Sequence, residues 1–372
     1  MSPADPAFMG RLCALMSAAI LGAACGAARA GPLVLGVPLA PPGPESGAPC
    51  QDIPLPAKDY ATPNLYAPGA AQDRLNAGAA RAVEADSAQI QGLMNGINDL
   101  AGRLLKGDGR TGSGDRAVAR CIVRNLYTSA RAGSLTGSLS PQAAGLRSFV
   151  VPALAFDYVL ARRFDDPDPA ARQAIETWLR RLNDPSVEAE SQLAALGNTP
   201  ASPHRINNRH YWVGYGALLV AIATQDQQRF EWGRRAILRG LDEVDAQGFL
   251  PPEAARESRA LNYHAYALQP LSMGTYLLAA NGERPSAGQM AALQRLGETT
   301  AAGLLDPAAF SKRLEPYVGG RRIDQVDFPK TPPYVPVLLK LFGPSPAISA
   351  LRRKIVRTPP GFIGPSTDDL FH

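Results

Sequence analysis

Tyr211-Trp212-Val213-Gly214-Tyr215-Gly216-Ala217-Leu218-Leu219-Val220-Ala221-Ile222-Ala223 runs for thirteen residues without a charge. A surface helix keeps a polar face, whereas this stretch is apolar almost all round, so it predicts an inner helix of a two-layer helical assembly. Working outward, Ala, Leu, Arg and Glu dominate from about residue 70, and Leu146, Phe149, Val150, Ala153, Leu154 and Leu160 recur at helical spacing. Breaker clusters at Lys106-Gly107-Asp108-Gly109, Asp165-Asp166-Pro167, Gly197 to Pro203, Gly248 to Pro252 and Asn281-Gly282 cut the chain into helix-length pieces. Period-two strand patterns are scarce and no short repeat is present. The expectation is an all-α domain over residues 70–372, with the Pro-rich end around Pro332, Pro333 and Pro336 wrapping its outside.

The N-terminus reads differently. Arg11, the apolar run Leu12 to Ala27 and the small-x-small site Ala28-Arg29-Ala30 predict a secretory signal peptide over 1–30, cleaved after Ala30. Cys25 lacks a leucine at the spacing that a lipoprotein box needs, since Leu21 stands one place too far upstream. Residues 31–69 hold ten prolines and predict an extended lead-in. With Cys13 and Cys25 removed, Cys50 and Cys121 remain in an oxidising compartment and predict one bridge, worth about 4 kcal/mol by loop closure. No CxxC or HExxH spacing occurs, so no metal or organic cofactor is implied. A net charge of +5 spread thinly over 372 residues argues against nucleic acid as partner, and no membrane span is expected beyond the signal. A monomer is expected.

Two clusters bear chemistry. His204-Arg205-Ile206-Asn207-Asn208-Arg209-His210-Tyr211-Trp212 stands at the mouth of the inner helix, where capping explains one asparagine but not the whole set. Beyond Gly248-Phe249-Leu250-Pro251-Pro252-Glu253, residues Arg256, Arg259, Tyr263 and Tyr266 have the spacing of one helix face. Two arginines sharing a stripe without interleaved carboxylates call for an anionic ligand. His372 and the acidic run Asp165, Asp166 and Asp168 read as solvated.

Asn207-Asn208-x-x-Tyr211-Trp212, Gly248-Phe249-Leu250-Pro251-x-Glu253 and Arg259-Ala260-Leu261-x-Tyr263-His264-x-Tyr266-Ala267-Leu268-x-Pro270-Leu271 resemble the alginate lyase family of bacterial polysaccharide lyases over about residues 205–280. The resemblance implies an incomplete (α/α) toroid with a deep cleft for an anionic uronate polymer in the periplasm. It implies β-elimination, in which an Asn and an Arg neutralise the uronate carboxylate, a His or Tyr takes the C5 proton, and a Tyr protonates the departing O4. Asn208, Arg256 and Tyr263 match those positions. Asn207, Tyr211, Trp212, Arg259, His264 and Tyr266 are expected to line the sugar subsites.

This sequence departs from the family at Arg209, which stands where the family usually has its catalytic His. Arg stays protonated and cannot be a base. His210 follows one residue later, about 100° round a helix, and reaches the site only if the segment is a loop. Two cleft cations of the family are also missing, where Gly137-Ser138-Leu139-Ser140 and Asn64-Leu65-Tyr66 stand. One expectation is that Tyr263 serves as both base and acid, with Arg209 as a further carboxylate clamp that lowers the phenol pKa. Its rivals are a protein that binds acidic polysaccharide without cleaving it, and a helical scaffold whose Arg and Tyr stripe contacts another protein.

Overall fold

The computed structural model describes residues 31–37, 50–68, 74–106, 115–199, 202 and 206–371. The expected signal segment 1–30, with its cleavage site and Cys25, lies outside them, as do His204, Arg205 and His372. From Val34 onward the described residues form one compact unit. They fold into α1 (Ala80–Lys106), α2 (Arg116–Ala132), α3 (Pro141–Arg162), α4 (Pro169–Leu196), α5 (Asn208–Thr224), α6 (Gln227–Asp242), α7 (Pro251–Ala254), α8 (Ala260–Ala280), α9 (Ala287–Leu305), α10 (Pro307–Leu314), α11 (Val335–Phe342), α12 (Pro346–Lys354) and α13 (Thr367–Leu370). Among the described residues there is no strand, only isolated bridges such as Tyr60 with Leu139.

The apolar stretch forms α5, in which every residue from His210 to Ala223 is buried. Helices α3, α4, α6 and α8 surround it. α3 and α8 are likewise buried on nearly every side, whereas α6 buries only the stripe Phe230, Gly233, Ala236, Ile237, Gly240 and Leu241. Inner helices thus alternate with amphipathic outer ones along the chain, the layering of an (α/α) toroid. α5 and α6 approach so closely that a Cβ on Gly233 would stand 2.7 Å from the Gly214 carbonyl oxygen, so only glycine fits at that crossing. α3 is long and apolar enough to cross a membrane by composition, yet 78% of its most apolar stretch is buried inside the fold.

Cys50 and Cys121 form the expected disulfide, with Cα atoms 5.3 Å apart, and pin the lead-in to α2. The lead-in then crosses the start of α3, where the Tyr60 amide donates to the Ser138 carbonyl at 3.0 Å and the Ser140 amide donates to the Tyr60 carbonyl at 2.9 Å. Thr62 Oγ1 donates to Asp86 at 2.7 Å. These bonds carry Tyr66 to the N-terminal ends of the inner helices.

The acidic run is exposed at Asp166 and Asp168, as expected, and also has local roles: Asp168 caps α4 by accepting from Ala170 and Ala171, and Asp166 pairs with Arg162 and Arg172. One expectation changes. The Pro-rich end does more than wrap, because Tyr334, Val335, Val337, Leu338 and Ile363 are buried. Proline stops the helices there, but the apolar residues between the prolines still fill the core.

Candidate active site

α5 begins where the backbone amides have no partner within the helix. Asn207 is its N-cap, with the side-chain oxygen accepting from the Arg209 amide at 3.0 Å. The next orphan amide, that of Asn208, donates to Glu253 Oε1 at 2.6 Å, and the Asn208 side chain donates to Glu253 Oε2 at 2.9 Å. One carboxylate, fully buried on the short α7, thereby docks the inner helix and fixes the orientation of Asn208. The same carboxylate has Arg256 Nε 3.8 Å away. Burial pushes the Glu253 carboxyl above its ordinary range, against the pull of Arg256 and of both hydrogen bonds from Asn208.

Arg256 carries the site onward, with its guanidinium carbon 5.0 Å from the centre of the Tyr263 ring. Arg259 stands 5.8 Å from the same ring and 5.3 Å from that of Tyr66. Tyr263 Oη donates to Tyr66 Oη at 3.2 Å. Asn208, Glu253, Arg256, Arg259, Tyr263 and Tyr66 therefore form one connected array. The resemblance marks Asn64-Leu65-Tyr66 only as a place where a cleft cation is missing, and nothing local assigns a role to a lone tyrosine that meets its partner 197 positions away.

The array is not the single helix face that the spacing suggested. Residues Glu257–Arg259 form a 3₁₀ turn, entered through Glu257 at φ +51°, and α8 starts only at Ala260. Nor do the arginines lack carboxylates, since Arg256 has Glu253 beside it and Arg259 lies 4.0 Å from Asp327. The Tyr263 phenol is raised above its ordinary pKa by burial first and by Tyr66 next, with Arg256 and Arg259 pulling the other way. This corrects the expectation that Arg209 lowers it.

Several expected site residues point elsewhere. His210 is buried, with Nδ1 3.3 Å from Glu190 Oε2 and its ring 5.6 Å from that of Trp232, on the outer side of α5. The segment is helical from Asn208, so the one-residue step turns His210 away from Tyr263. Arg209 is half-exposed, with Nε 3.3 Å from the other oxygen of Glu190. Tyr211 is fully buried and donates to Glu243 at 2.7 Å. Trp212 is also fully buried, packed under Phe149 and Tyr266 at ring separations of 5.7 and 5.0 Å. Tyr266 itself is half-buried.

His264 is a core residue, not a substrate ligand. Its Nδ1 lies 2.7 Å from the Ala260 carbonyl, which fixes the proton there, and its Nε2 accepts from the Leu250 amide at 3.0 Å. Burial pulls its pKa down to about 4. A histidine whose folded pKa lies below the unfolded value near 6.5 supplies stability above pH 6.5, and that stability is lost as the pH falls toward 4. The loss is expected to reach about 3 kcal/mol for this group. Denaturant titrations at pH 7 and pH 4.5 should show a smaller drop for His264→Gln than for the unaltered chain, and equal drops would rule the account out. Among the described residues, no group of three or more His, Cys, Asp or Glu side chains is placed to hold a metal.

The family model for alginate lyase matches residues 131–310. An alginate lyase of Pseudomonas putida is 34% identical over 263 residues, which cover 69% of this chain and 66% of that protein. A polysaccharide lyase of Stenotrophomonas maltophilia is 33% identical over 204 residues, covering 54% of this chain and 58% of that one. The chain thus spans just under two thirds of the length of the Pseudomonas relative. Among solved structures, alginate lyase A1-III of Sphingomonas species A1 superposes with a TM-score of 0.65 at 17% identity, covering 88% of each chain. A variant of alginate lyase A1-III complexed with a tetrasaccharide gives 0.68 at 18% identity over the same shares. At that identity the likeness establishes the fold.

Proposed function

We propose that the chain is a member of the alginate lyase family and a polysaccharide lyase that cleaves polymannuronate or a related polyuronate by β-elimination. The observation that carries the reading is the convergence of Asn208, Arg256 and Tyr263 through Glu253 and the Tyr263 ring. The C5 proton of a uronate is weakly acidic until its carboxylate is neutralised, so fixed donors must meet the charge that develops there. Asn208 has a second Nδ2 hydrogen besides the one given to Glu253. With Arg256 it supports the neutralising role.

In the step proposed, the phenolate of Tyr263 takes the C5 proton, the C5–H electron pair forms the C4–C5 double bond, and the C4–O4 bond breaks. The phenol then returns its proton to O4, which leaves Tyr263 as it began. One group can do both only when the proton and the leaving oxygen share a face of the ring, as in mannuronate or glucuronate linkages. Among the described residues neither histidine, His210 or His264, faces Tyr263, which supports the one-residue scheme. Arg209 pairs with the same Glu190 carboxylate as His210, so the clamp expected of it falls to Asn208 and Arg256. The signal-like segment 1–30 and the Cys50–Cys121 bridge support a periplasmic location.

The test is ultraviolet absorbance of the 4,5-unsaturated uronate, with mature protein given polymannuronate, polyguluronate, polyglucuronate and hyaluronan in turn. Product is expected from polymannuronate or polyglucuronate and not from polyguluronate, whose C5 configuration is opposite. Silence on all four from folded protein that binds them would replace cleavage by binding. Cleavage of polyguluronate alone would overturn the one-residue scheme.

A further inference from the structure

Beyond the reacting array, three large aromatic side chains stay partly exposed over the fully buried Trp212: Phe149 from α3, Tyr266 from α8 and Phe362 from the C-terminal stretch. Their ring centres lie 5.2 Å (Phe149 to Tyr266), 5.9 Å (Phe149 to Phe362) and 6.3 Å (Tyr266 to Phe362) apart. Trp212 lies beneath all of them, 5.9 Å from Phe362. Tyr266 follows Tyr263 by three residues on α8, which puts the two on the same side of the helix, so the surface adjoins the array.

Phe362 is held there by a turn that hydrogen bonds fix at Gly361, Ile363 and Gly364. Gly361 and Gly364 exchange both hydrogen bonds, at 2.9 and 3.0 Å. The buried side chains of Asn98 and Tyr215 donate to the Gly361 and Ile363 carbonyls at 3.0 and 2.9 Å. Gly364 has φ +111°, and a Cβ there would stand 3.2 Å from the Phe156 ring, so the turn requires glycine. Ile363 is buried and anchors the turn in the core, while its neighbour Phe362 is kept partly in solvent. Packing alone accounts for Ile363. It does not account for a rigid turn that leaves the edge of a large aromatic ring in solvent beside two others.

We infer that Phe362 completes, with Phe149 and Tyr266, a stacking surface for the apolar face of a pyranose ring in the bound anionic chain, next to the unit held by Asn208, Arg256 and Tyr263. Aromatic faces carry negative charge density and the axial C–H bonds of a sugar present positive edges, so the two attract, and a ring already fixed in place costs little entropy to use. The carboxylates of the same chain meet Arg256 and Arg259. The position beside the reacting unit rests on the lyase reading; the binding surface does not.

The experiment measures affinity for a mannuronate oligomer by calorimetry in the full mature chain carrying Tyr263→Phe, so that nothing turns over, and KM and kcat in the chain with Tyr263 intact. Each is repeated with Phe362→Ala, Phe362→Leu and Phe362→Trp, and melting curves check folding. Loss of the aromatic face is expected to weaken binding and raise KM by about tenfold in both the Ala and the Leu variants, with kcat little changed and Phe362→Trp close to the parent. The Leu variant keeps the apolar contact with Trp212, so it separates stacking from packing. Binding and KM unchanged in Phe362→Leu would overturn the inference while leaving the lyase reading intact. Binding that depends on Phe362 without any product from the intact chain would do the reverse, and no binding of any polyuronate would overturn both.

Discussion

Tyr263→Phe is expected to lower turnover by about 10²–10⁴-fold or more, the range seen when a positioned acid or base is removed, with folding unchanged. The hydroxyl that is lost makes one hydrogen bond, to Tyr66, and the ring keeps its contacts with Arg256 and Arg259. Affinity should therefore survive, and the loss should fall on kcat. A pH dependence follows from the raised phenol. With its pKa above the ordinary value, the reactive phenolate is a small fraction at neutral pH, and that fraction grows about tenfold per unit as the pH rises. kcat/KM should climb with pH through the alkaline range until the fold fails. A flat profile over that range, or a Phe variant with undiminished product formation, would remove Tyr263 from the chemistry and shift the weight to another group in the array.

What the sequence could disclose divides by distance along the chain. The apolar run 211–223 has one physical solution, enclosure on all sides, and α5 adopts it. Asn208, Arg256 and Tyr263 were named only through the resemblance to alginate lyases, and the fold brings the three together. Their shared geometry was not legible, because the 3₁₀ turn at Glu257–Arg259 breaks the helical face and a buried carboxylate, not helical periodicity, gathers the side chains. His264 and Tyr211 were expected to line the sugar subsites because they stand in the motifs that carry the resemblance. Both polar tips are satisfied internally, by the Leu250 amide and the Ala260 carbonyl for one and by Glu243 for the other, and no local pattern announces such partners. Tyr66 and Phe362 come from segments with no helical signature, delivered by bonds that close only in the folded chain.

Glu253→Ala is expected to cost about 3–5 kcal/mol of stability and most of the activity together, because Glu253 joins fold and site in one side chain. The substitution strands the Asn208 amide and one Asn208 side-chain hydrogen, both buried, and takes the carboxylate from beside Arg256. Each stranded donor costs about 1–3 kcal/mol, and the lost charge partner adds to that. Glu253→Gln separates the two roles. It fills the same volume and can still accept from the Asn208 amide, so its stability should lie much closer to the parent. Its own amide group, however, must face either the Asn208 side chain or Arg256, donor against donor, and the neutralising pair loses its alignment. The Gln variant should then melt near the parent yet show a fall in kcat/KM, most of it in kcat if the donors act chiefly on the charge that develops during elimination. The raised carboxyl pKa gives a second readout. As the pH falls through that raised value a proton arrives on Glu253, one acceptor for Asn208 becomes a donor, and activity should decline on the acid side in the parent but not in the Gln variant. A Gln variant with parental kcat/KM and an unchanged acid limb would reduce Glu253 to a helix cap and leave Asn208 and Arg256 to be positioned by the rest of the fold.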